Sequence, residues 1–150
     1  MTIHAIRACS MALVLALSGL FPAATAYAAG PKVPIPDQIP GVTRVDAEGV
    51  IGLTEKIPDL TIIDSRISGD RQQGYIEKSV SLPDTKTDCA SLKKVIPKKS
   101  SPTLFYCNGV KCGRSVVAVR VALKCGYTNL YWFRGGFEEW LAKHYPIVQD

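Results

Sequence analysis

The chain has 150 residues, a formal net charge of +5 and 47% hydrophobic residues. This length is typical of one domain, and its apolar content is sufficient to bury a core without disulfide bonds. The mild positive charge argues against a nucleic-acid-binding protein, so no nucleic acid is expected as a partner. Only two histidines are present and no paired Cys–His motif occurs. We therefore expect neither a metal site nor a cofactor.

Residues 1–28 have the pattern of a secretory signal peptide. An apolar stretch from Met11 to Phe21 is followed by small residues suited to cleavage, with the cut expected after Ala28 and Ala26 as the alternative. The stretch is too short to span a bilayer, so no membrane span is expected in the mature protein. The leader is of a bacterial type. The pattern therefore predicts a periplasmic protein, in a compartment that permits disulfides.

Residues 29–41 contain four prolines, which forbid a helix and favour an extended arm. We expect this arm to act as a tether or a strap. Residues 42–150 are predicted to form one domain and to remain monomeric.

Helical and extended patterns alternate along this domain. Helices are predicted at 45–57, 89–96, 115–124 and 136–144, and strands at 60–63, 80–82, 103–106 and 130–133. Gly49 and Gly52 are expected to interrupt the first helix. Such alternation predicts an α/β fold with a mainly parallel sheet covered by helices on both faces. Ligands of such sheets lie beyond the carboxyl ends of strands, where the pattern places Asp64 and Cys107.

Cys107 stands where a strand is predicted to turn into a helix. The turn is rich in glycine, so its backbone N–H groups can converge on one point, and the next helix presents its positive end there. A thiolate or a bound anion would be stabilised at that point, and the pKa of the thiol would be lowered. Cys107 is therefore the predicted nucleophile. The candidate anion-binding loop consists of Asn108, Gly109, Val110, Lys111, Gly113, Arg114 and Ser115.

Three further cysteines remain in the mature chain. Cys112 lies inside the loop and is the candidate resolving cysteine, able to form a disulfide with Cys107. A role for Cys112 as primary nucleophile, or no role, stays open. Cys89 and Cys125 are expected to pack in the core, with a mutual disulfide as the alternative.

Four ordered segments resemble blocks of the single-domain rhodanese family. They are 62–66, an apolar strand ending in Asp-x-Arg; 74–83, a segment opening with Gly and ending in Pro; 106–115, with Tyr-Cys and Gly-Arg-Ser; and 134–140, with Gly-Gly and Trp. The resemblance implies a three-layer rhodanese-like domain in which Cys107 matches the family nucleophile. It also implies a sulfurtransferase that takes sulfane sulfur from an anion such as thiosulfate, holds it as a Cys107 persulfide, and passes it to a thiol or to cyanide. Asp64 and Arg66 are expected to brace the loop from behind rather than to contact substrate.

The loop departs from the family pattern in two ways. Arg114 stands seven residues after Cys107, whereas the usual single-domain loop has five. Longer loops occur in related phosphatases and arsenate reductases, so an oxyanion enzyme of that type is one alternative. The second departure is Cys112, which resembles a Cys-x-Gly-x-x-Cys variant of exported members. It raises the alternative of a non-catalytic or redox-responsive binding module, whose Cys107–Cys112 disulfide a thioredoxin-like reductant would reopen.

Overall fold

Five short strands form the centre of the protein in a computed structural model that describes residues 35–149. The strands are β1 (Val42–Val45), β2 (Thr61–Asp64), β3 (Val80–Ser81), β4 (Thr103–Tyr106) and β5 (Leu130–Phe133). They form one sheet in the order β1-β5-β4-β2-β3, in which all the neighbouring strands are parallel. The predicted α/β class with a mainly parallel sheet is thus confirmed.

Helices follow the strands along the described residues. They are α1 (Ala47–Lys56), α2 (Ser68–Arg71), α3 (Cys89–Val95), α4 (Arg114–Lys124) and α5 (Gly136–Ala142), and a 3₁₀ turn covers Asp84–Lys86. The two faces of the sheet are buried by different helices. Phe105 of β4 faces a core built with α3 and α4, whereas Leu104 and Tyr106 face a core built with α1 and α5. This alternation produces the three layers.

The start of the domain differs from the sequence-based expectation. The pattern predicts that the first helix begins at Val45 and predicts no strand before it, yet residues 42–45 form the edge strand β1, which pairs with β5. The helix begins only after Asp46, whose carboxylate accepts a hydrogen bond from the Gly49 N–H (2.8 Å). Gly49 and Gly52 do not interrupt α1. Burial of Ala47 and Val50 outweighs the cost of the glycines, because tertiary packing supplies most helix stability.

The described part of the proline-rich arm packs as a strap. Ile39 is only 5% exposed, and Ile35 packs against the same core. Arg134, which follows β5, donates from Nε to the Pro36 carbonyl (3.1 Å) and forms an ion pair with Asp37. The predicted signal peptide, 1–28, and the first residues of the arm lie outside the described residues. Within 35–149, no helix has the length and apolarity needed to cross a membrane.

Cys89 and Cys125 form a disulfide, so the alternative of a mutual disulfide is confirmed. The expectation of core packing is wrong for Cys89, which is exposed, whereas Cys125 is partly buried against the core. Their Cα atoms are 5.5 Å apart, within the range that a disulfide spans. Cys89 is exposed at the first residue of α3, and Cys125 caps the end of α4. The bond therefore joins the exposed start of α3 to the partly buried end of α4.

Candidate active site

The carboxyl ends of β2, β4 and β5 meet at one edge of the sheet. Asp64 is paired with Tyr106, and Tyr106 with Phe133, so the residues that follow these three strands are neighbours. Cys107 comes directly after Tyr106 and begins the loop that leads into α4. The structure thus places the predicted nucleophile at the edge where parallel sheets bind ligands.

The Cys107 side chain is buried, with 1% of it exposed. Its Sγ lies 3.1 Å from the Cys112 carbonyl oxygen, to which the thiol can donate, and 3.1 Å from the Ser115 hydroxyl. The Ser115 hydroxyl accepts a hydrogen bond from Trp132 Nε1 (3.0 Å). Because the indole occupies one lone pair of that oxygen, the Ser115 proton is free to point at the Cys107 sulfur.

Cys112 is half-buried, and its thiol interacts directly with that of Cys107. The backbone N–H groups of Arg114 and Asn108 also interact with the Cys112 sulfur. The hydrogen bond from Cys107, these N–H groups and the charge of Arg114 together outweigh burial and lower the pKa of Cys112 to about 6. Two backbone N–H groups of the loop, those of Asn108 and Arg114, therefore act on Cys112, whereas the backbone N–H of Ser115 acts on Cys107.

The ionisation of Cys107 differs from the sequence-based expectation. We expected a lowered pKa, yet the contact with Cys112 and burial both raise the pKa of Cys107. Two adjacent thiols resist becoming two thiolates, so one of them keeps its proton. Cys112 is less buried and has two N–H donors and the charge of Arg114 beside it, so it takes the negative charge.

The N-terminus of α5 holds the start of the loop. Phe137 N–H donates to the Cys107 carbonyl (2.9 Å), and Glu138 N–H donates to the Asn108 carbonyl (2.7 Å). Gly136 makes this approach possible, because it has φ +60° and any Cβ there would collide with the Cys107 carbonyl oxygen. The backbone position of Cys107 is thus set by a helix from a different part of the chain.

The loop glycines behave differently from the expectation that they supply unusual backbone turns. Gly109 is not among the glycines with positive φ, and Gly113 has φ −84°. Gly109 is buried because the Glu138 side chain lies where a Cβ would stand. A glycine is therefore favoured at position 109 because there is little space for a side chain, not because the backbone needs an unusual conformation.

Some of the remaining loop side chains contact residues outside the loop, and others face solvent. Arg114 forms an ion pair with Asp84 (2.9 Å), and the Asn108 amide donates to Asp70 (2.8 Å). Val110 and Lys111 are exposed. These contacts fix both ends of the loop, while its tip faces solvent.

Asp64 and Arg66 form a buried ion pair behind the loop. Arg66 donates to both carboxylate oxygens of Asp64 (2.9 and 2.7 Å), and Tyr106 donates to Asp64 as well (2.8 Å). Burial alone would raise the pKa of Asp64, but the hydrogen bonds and charge of Arg66 and the Tyr106 hydroxyl lower it. The Arg66 guanidinium also lies over the Phe137 ring, 4.1 Å from its centroid. The pair therefore connects β2 to the helix that positions Cys107.

Comparisons with known proteins agree with this geometry. The Rhodanese-like domain family matches residues 50–143, more than half of the chain. The chain belongs to the rhodanese-like domain family. A rhodanese domain-containing protein of Drosophila melanogaster is 30% identical over 97 residues, which cover 57% of this chain and 86% of that protein.

Solved structures with a similar fold include proteins from three bacteria. The BH2092 protein of Bacillus halodurans has a TM-score of 0.62 at 19% identity, over 71% of this chain and 77% of its own. A polysulfide-sulfur transferase of Wolinella succinogenes has a TM-score of 0.59 at 18% identity, over 73% of this chain and 80% of its own. A thiosulfate sulfurtransferase of Pseudomonas aeruginosa has a TM-score of 0.60 at 18% identity, over 72% of this chain but only 20% of its own. At these identities the similarity shows the rhodanese-like fold.

A cavity of about 300 Å³ lies beside the loop of this rhodanese-like domain. It is lined by Arg66, Asp70, Gln73, Asn108, Phe137, Glu138 and Leu141. Two carboxylates, those of Asp70 and Glu138, thus border the cavity on the Asn108 side of the loop. This side is unfavourable for an approaching anion.

Sequence reasoning missed three residues of this site. Trp132 falls within the predicted strand 130–133, and no sequence pattern connects it to the loop, although its indole N–H donates to the Ser115 hydroxyl. The ion-pair partner Asp84 gave no local signal, because it lies 30 residues from Arg114. Gly136 was noticed only as part of a Gly-Gly pair. The sequence did contain one signal for Gly136. Two glycines stand at the start of a helix, where a capping side chain would be more stable, which indicates that the backbone needs room there.

Proposed function

We propose that this rhodanese-like protein is a sulfurtransferase that moves sulfane sulfur from a small anionic donor such as thiosulfate to a thiol or to cyanide. The observation that supports it best is the pair of thiols, Cys107 and Cys112, held in contact at the carboxyl edge of the sheet. Both are free of the disulfide that joins the other two cysteines. Family membership and the names of two structural neighbours, a thiosulfate sulfurtransferase and a polysulfide-sulfur transferase, support the same class.

In this proposal, sulfur is carried as a persulfide on Cys107. A loop thiolate attacks the outer sulfur of thiosulfate, the S–S bond of the donor breaks, and sulfite leaves with the bonding electron pair. The persulfide is an anion, and hydrogen bonds from the Ser115 hydroxyl and the loop N–H groups would stabilise it. Cyanide or an acceptor thiolate then attacks the outer sulfur. Thiocyanate or a new persulfide leaves, and the cysteine thiolate is regenerated.

We also propose that the protein works in the periplasm. The leader pattern of residues 1–28 and the Cys89–Cys125 disulfide both support an oxidising compartment. There, a thioredoxin-like reductant would keep the loop thiols reduced.

The test is to incubate the reduced protein with thiosulfate labelled in its outer sulfur and to locate the label by peptide mass spectrometry. We expect one labelled sulfur in the peptide that contains Cys107, and release of labelled thiocyanate after cyanide is added. Hydrolysis of p-nitrophenyl phosphate and reduction of arsenate serve as comparison reactions. A protein that turns over either of these but takes no label would be an oxyanion enzyme instead.

The contact between the two thiols also favours a second candidate function, a redox-responsive binding module. Oxidation would join Cys107 to Cys112 and remove the thiolate. A protein isolated from an oxidising compartment with this disulfide, and unlabelled by thiosulfate even after reduction, would favour that function over sulfur transfer.

A further inference from the structure

The position of the two loop thiols suggests an order of events within the proposed sulfur transfer. Cys107 is 1% exposed, and its sulfur contacts the Cys112 carbonyl, the Cys112 thiol and the Ser115 hydroxyl. A donor approaching from solvent therefore meets Cys112 first, because Cys112 is half-buried whereas Cys107 is covered.

The electrostatics of the loop favour the same sulfur. The N–H groups of Arg114 and Asn108 interact with the Cys112 sulfur, and the Arg114 guanidinium adds positive charge. These groups stabilise a thiolate on Cys112, and a thiolate is the attacking species in sulfur exchange. Cys107, in contrast, keeps its proton beside that charge.

We propose that Cys112 is the first acceptor of sulfur and that it hands the sulfur to Cys107, an inference that rests on the proposed sulfurtransferase function. In the first step, the Cys112 thiolate forms a bond to the outer sulfur of thiosulfate, and sulfite leaves. In the second step, Cys107 gives up its proton and bonds to the outer sulfur of the Cys112 persulfide. The bond from that sulfur to Cys112 breaks, and Cys112 takes the proton. The products are a Cys107 persulfide and a Cys112 thiol, with no net oxidation or reduction.

This order gives the second cysteine of the loop a role. When Cys112 is reprotonated, its negative charge no longer opposes an anion on Cys107. The new persulfide anion on Cys107 then has the Ser115 hydroxyl and the Ser115 backbone N–H as donors. The Ser115 hydroxyl, which accepts a hydrogen bond from Trp132, contacts the Cys107 sulfur and can stabilise negative charge there as Cys107 accepts the transferred sulfur.

The test compares Cys107→Ser and Cys112→Ser with the wild-type chain in single-turnover labelling by thiosulfate carrying a labelled outer sulfur. We expect Cys107→Ser to accumulate label on Cys112 at close to the wild-type rate, without passing it on. We expect Cys112→Ser to label Cys107 at least about tenfold more slowly, because the sulfur that must then attack belongs to a residue that is only 1% exposed. Wild-type protein should show label on Cys112 first and on Cys107 later.

Labelling of Cys107 in Cys112→Ser at the wild-type rate would overturn the proposed order. An unlabelled Cys107→Ser protein would also overturn it, provided that the wild type is labelled. Absence of label in the wild type would instead be a failure of the proposed function itself. Cys112→Ala is the second variant, and circular dichroism checks that every variant is folded, so that a slow rate reports the missing thiol rather than a lost fold.

Discussion

At the scale of single residues, the two loop cysteines differ more than their sequence context suggests. The sequence placed a thiolate at Cys107 because that residue ends a strand before a glycine-rich turn. In the structure, the N–H groups of Asn108 and Arg114 act on Cys112, and that of Ser115 acts on Cys107. The path of the loop in space decides which sulfur lies close to these N–H groups. A sequence pattern does not specify that path.

The first residue-scale prediction concerns the pH dependence of alkylation. The pKa of Cys112 is lowered to about 6, so its thiolate persists down to that pH and is lost below it as the thiol is protonated. The pKa of Cys107 is raised, so that thiol stays protonated through neutral pH. We expect iodoacetamide to modify Cys112 with a rate that rises through about pH 6, while Cys107 reacts much more slowly. Peptide mass spectrometry across a pH series measures both rates, and preferential alkylation of Cys107 at neutral pH would contradict the assignment.

A second prediction concerns the indole of Trp132. Trp132→Phe removes the hydrogen bond to Ser115 and some buried volume, and we expect it to lower the free energy of unfolding by about 1–3 kcal/mol. It should also slow sulfur transfer, because the Ser115 hydroxyl loses the partner that orients it towards Cys107.

Trp140→Phe is the matched control for Trp132→Phe. It removes an equivalent hydrogen bond from Trp140 Nε1 to the Pro146 carbonyl (2.8 Å). Urea denaturation should show a comparable loss of stability, whereas the transfer rate of the folded protein should be unchanged. Equal rates in the two variants would argue against a positioning role for Trp132.

At the scale of elements, the start of α5 and the carboxyl end of β2 decide where the active loop lies. Gly136 allows α5 to donate to the Cys107 carbonyl, and Arg66 connects Asp64 of β2 to Phe137 of α5. The sequence identified Asp64 and Arg66 as a bracing pair, which is a local feature of one strand end. It did not identify Phe137 as their neighbour, because residues 66 and 137 are brought together only by the fold.

Replacement of Gly136 by alanine tests the first of these contacts. Both the φ of +60° and the collision with the Cys107 carbonyl oppose a Cβ there, so we expect a loss of more than about 2 kcal/mol in stability and a large loss of sulfur transfer. Gly126→Ala is the matched control, because Gly126 also has positive φ (+84°) but open space around it. It should lose about 1 kcal/mol and keep its transfer rate. Thermal melts compare the stabilities of the two variants, and the rate of thiocyanate formation compares their sulfur transfer.

Replacement of Asp64 by asparagine tests the buried ion pair. Arg66 would be left buried with its charge uncompensated, and we expect a loss of about 3–5 kcal/mol in the free energy of unfolding. Asp37→Asn is the control: Asp37 is 87% exposed in its ion pair with Arg134, and its loss should cost about 1 kcal/mol or less.

The pH dependence of stability provides a second reading of the same pair. The pKa of Asp64 is lower in the folded state than in the unfolded state, where it is near 3.8. The ionised carboxylate therefore contributes fully to stability above the unfolded pKa, and this contribution is lost as the pH falls through the folded pKa. Wild-type protein should therefore lose stability in acid more steeply than Asp64→Asn. Parallel acid denaturation curves for the two proteins would show that the carboxylate contributes nothing.

At the scale of the whole molecule, the Cys89–Cys125 disulfide joins α3 to the end of α4, the helix that begins at the active loop. The bond closes a segment of 36 residues. Loss of the crosslink in Cys89→Ser/Cys125→Ser should lower the free energy of unfolding by about 2–4 kcal/mol, mainly because the unfolded chain gains freedom. Denaturation of the oxidised wild type and the double variant measures this difference. Protein produced in a reducing compartment should behave like the variant, and equal stabilities would mean that the disulfide contributes little.

The sequence by itself determined the alternation of strands and helices, the parallel sheet, the four family segments and the loop that contains Cys107. All of these depend on local periodicity, glycine and proline placement, and short motifs, which are properties of neighbouring residues. Only the tertiary structure decided that residues 42–45 form an edge strand and that Cys89 and Cys125 are bonded. It also decided that the N–H groups of Asn108 and Arg114 act on Cys112. Each of these features depends on contacts between distant parts of the chain or on the path of one loop. Burial and hydrogen bonding depend on distances between atoms, and the order of residues does not specify those distances.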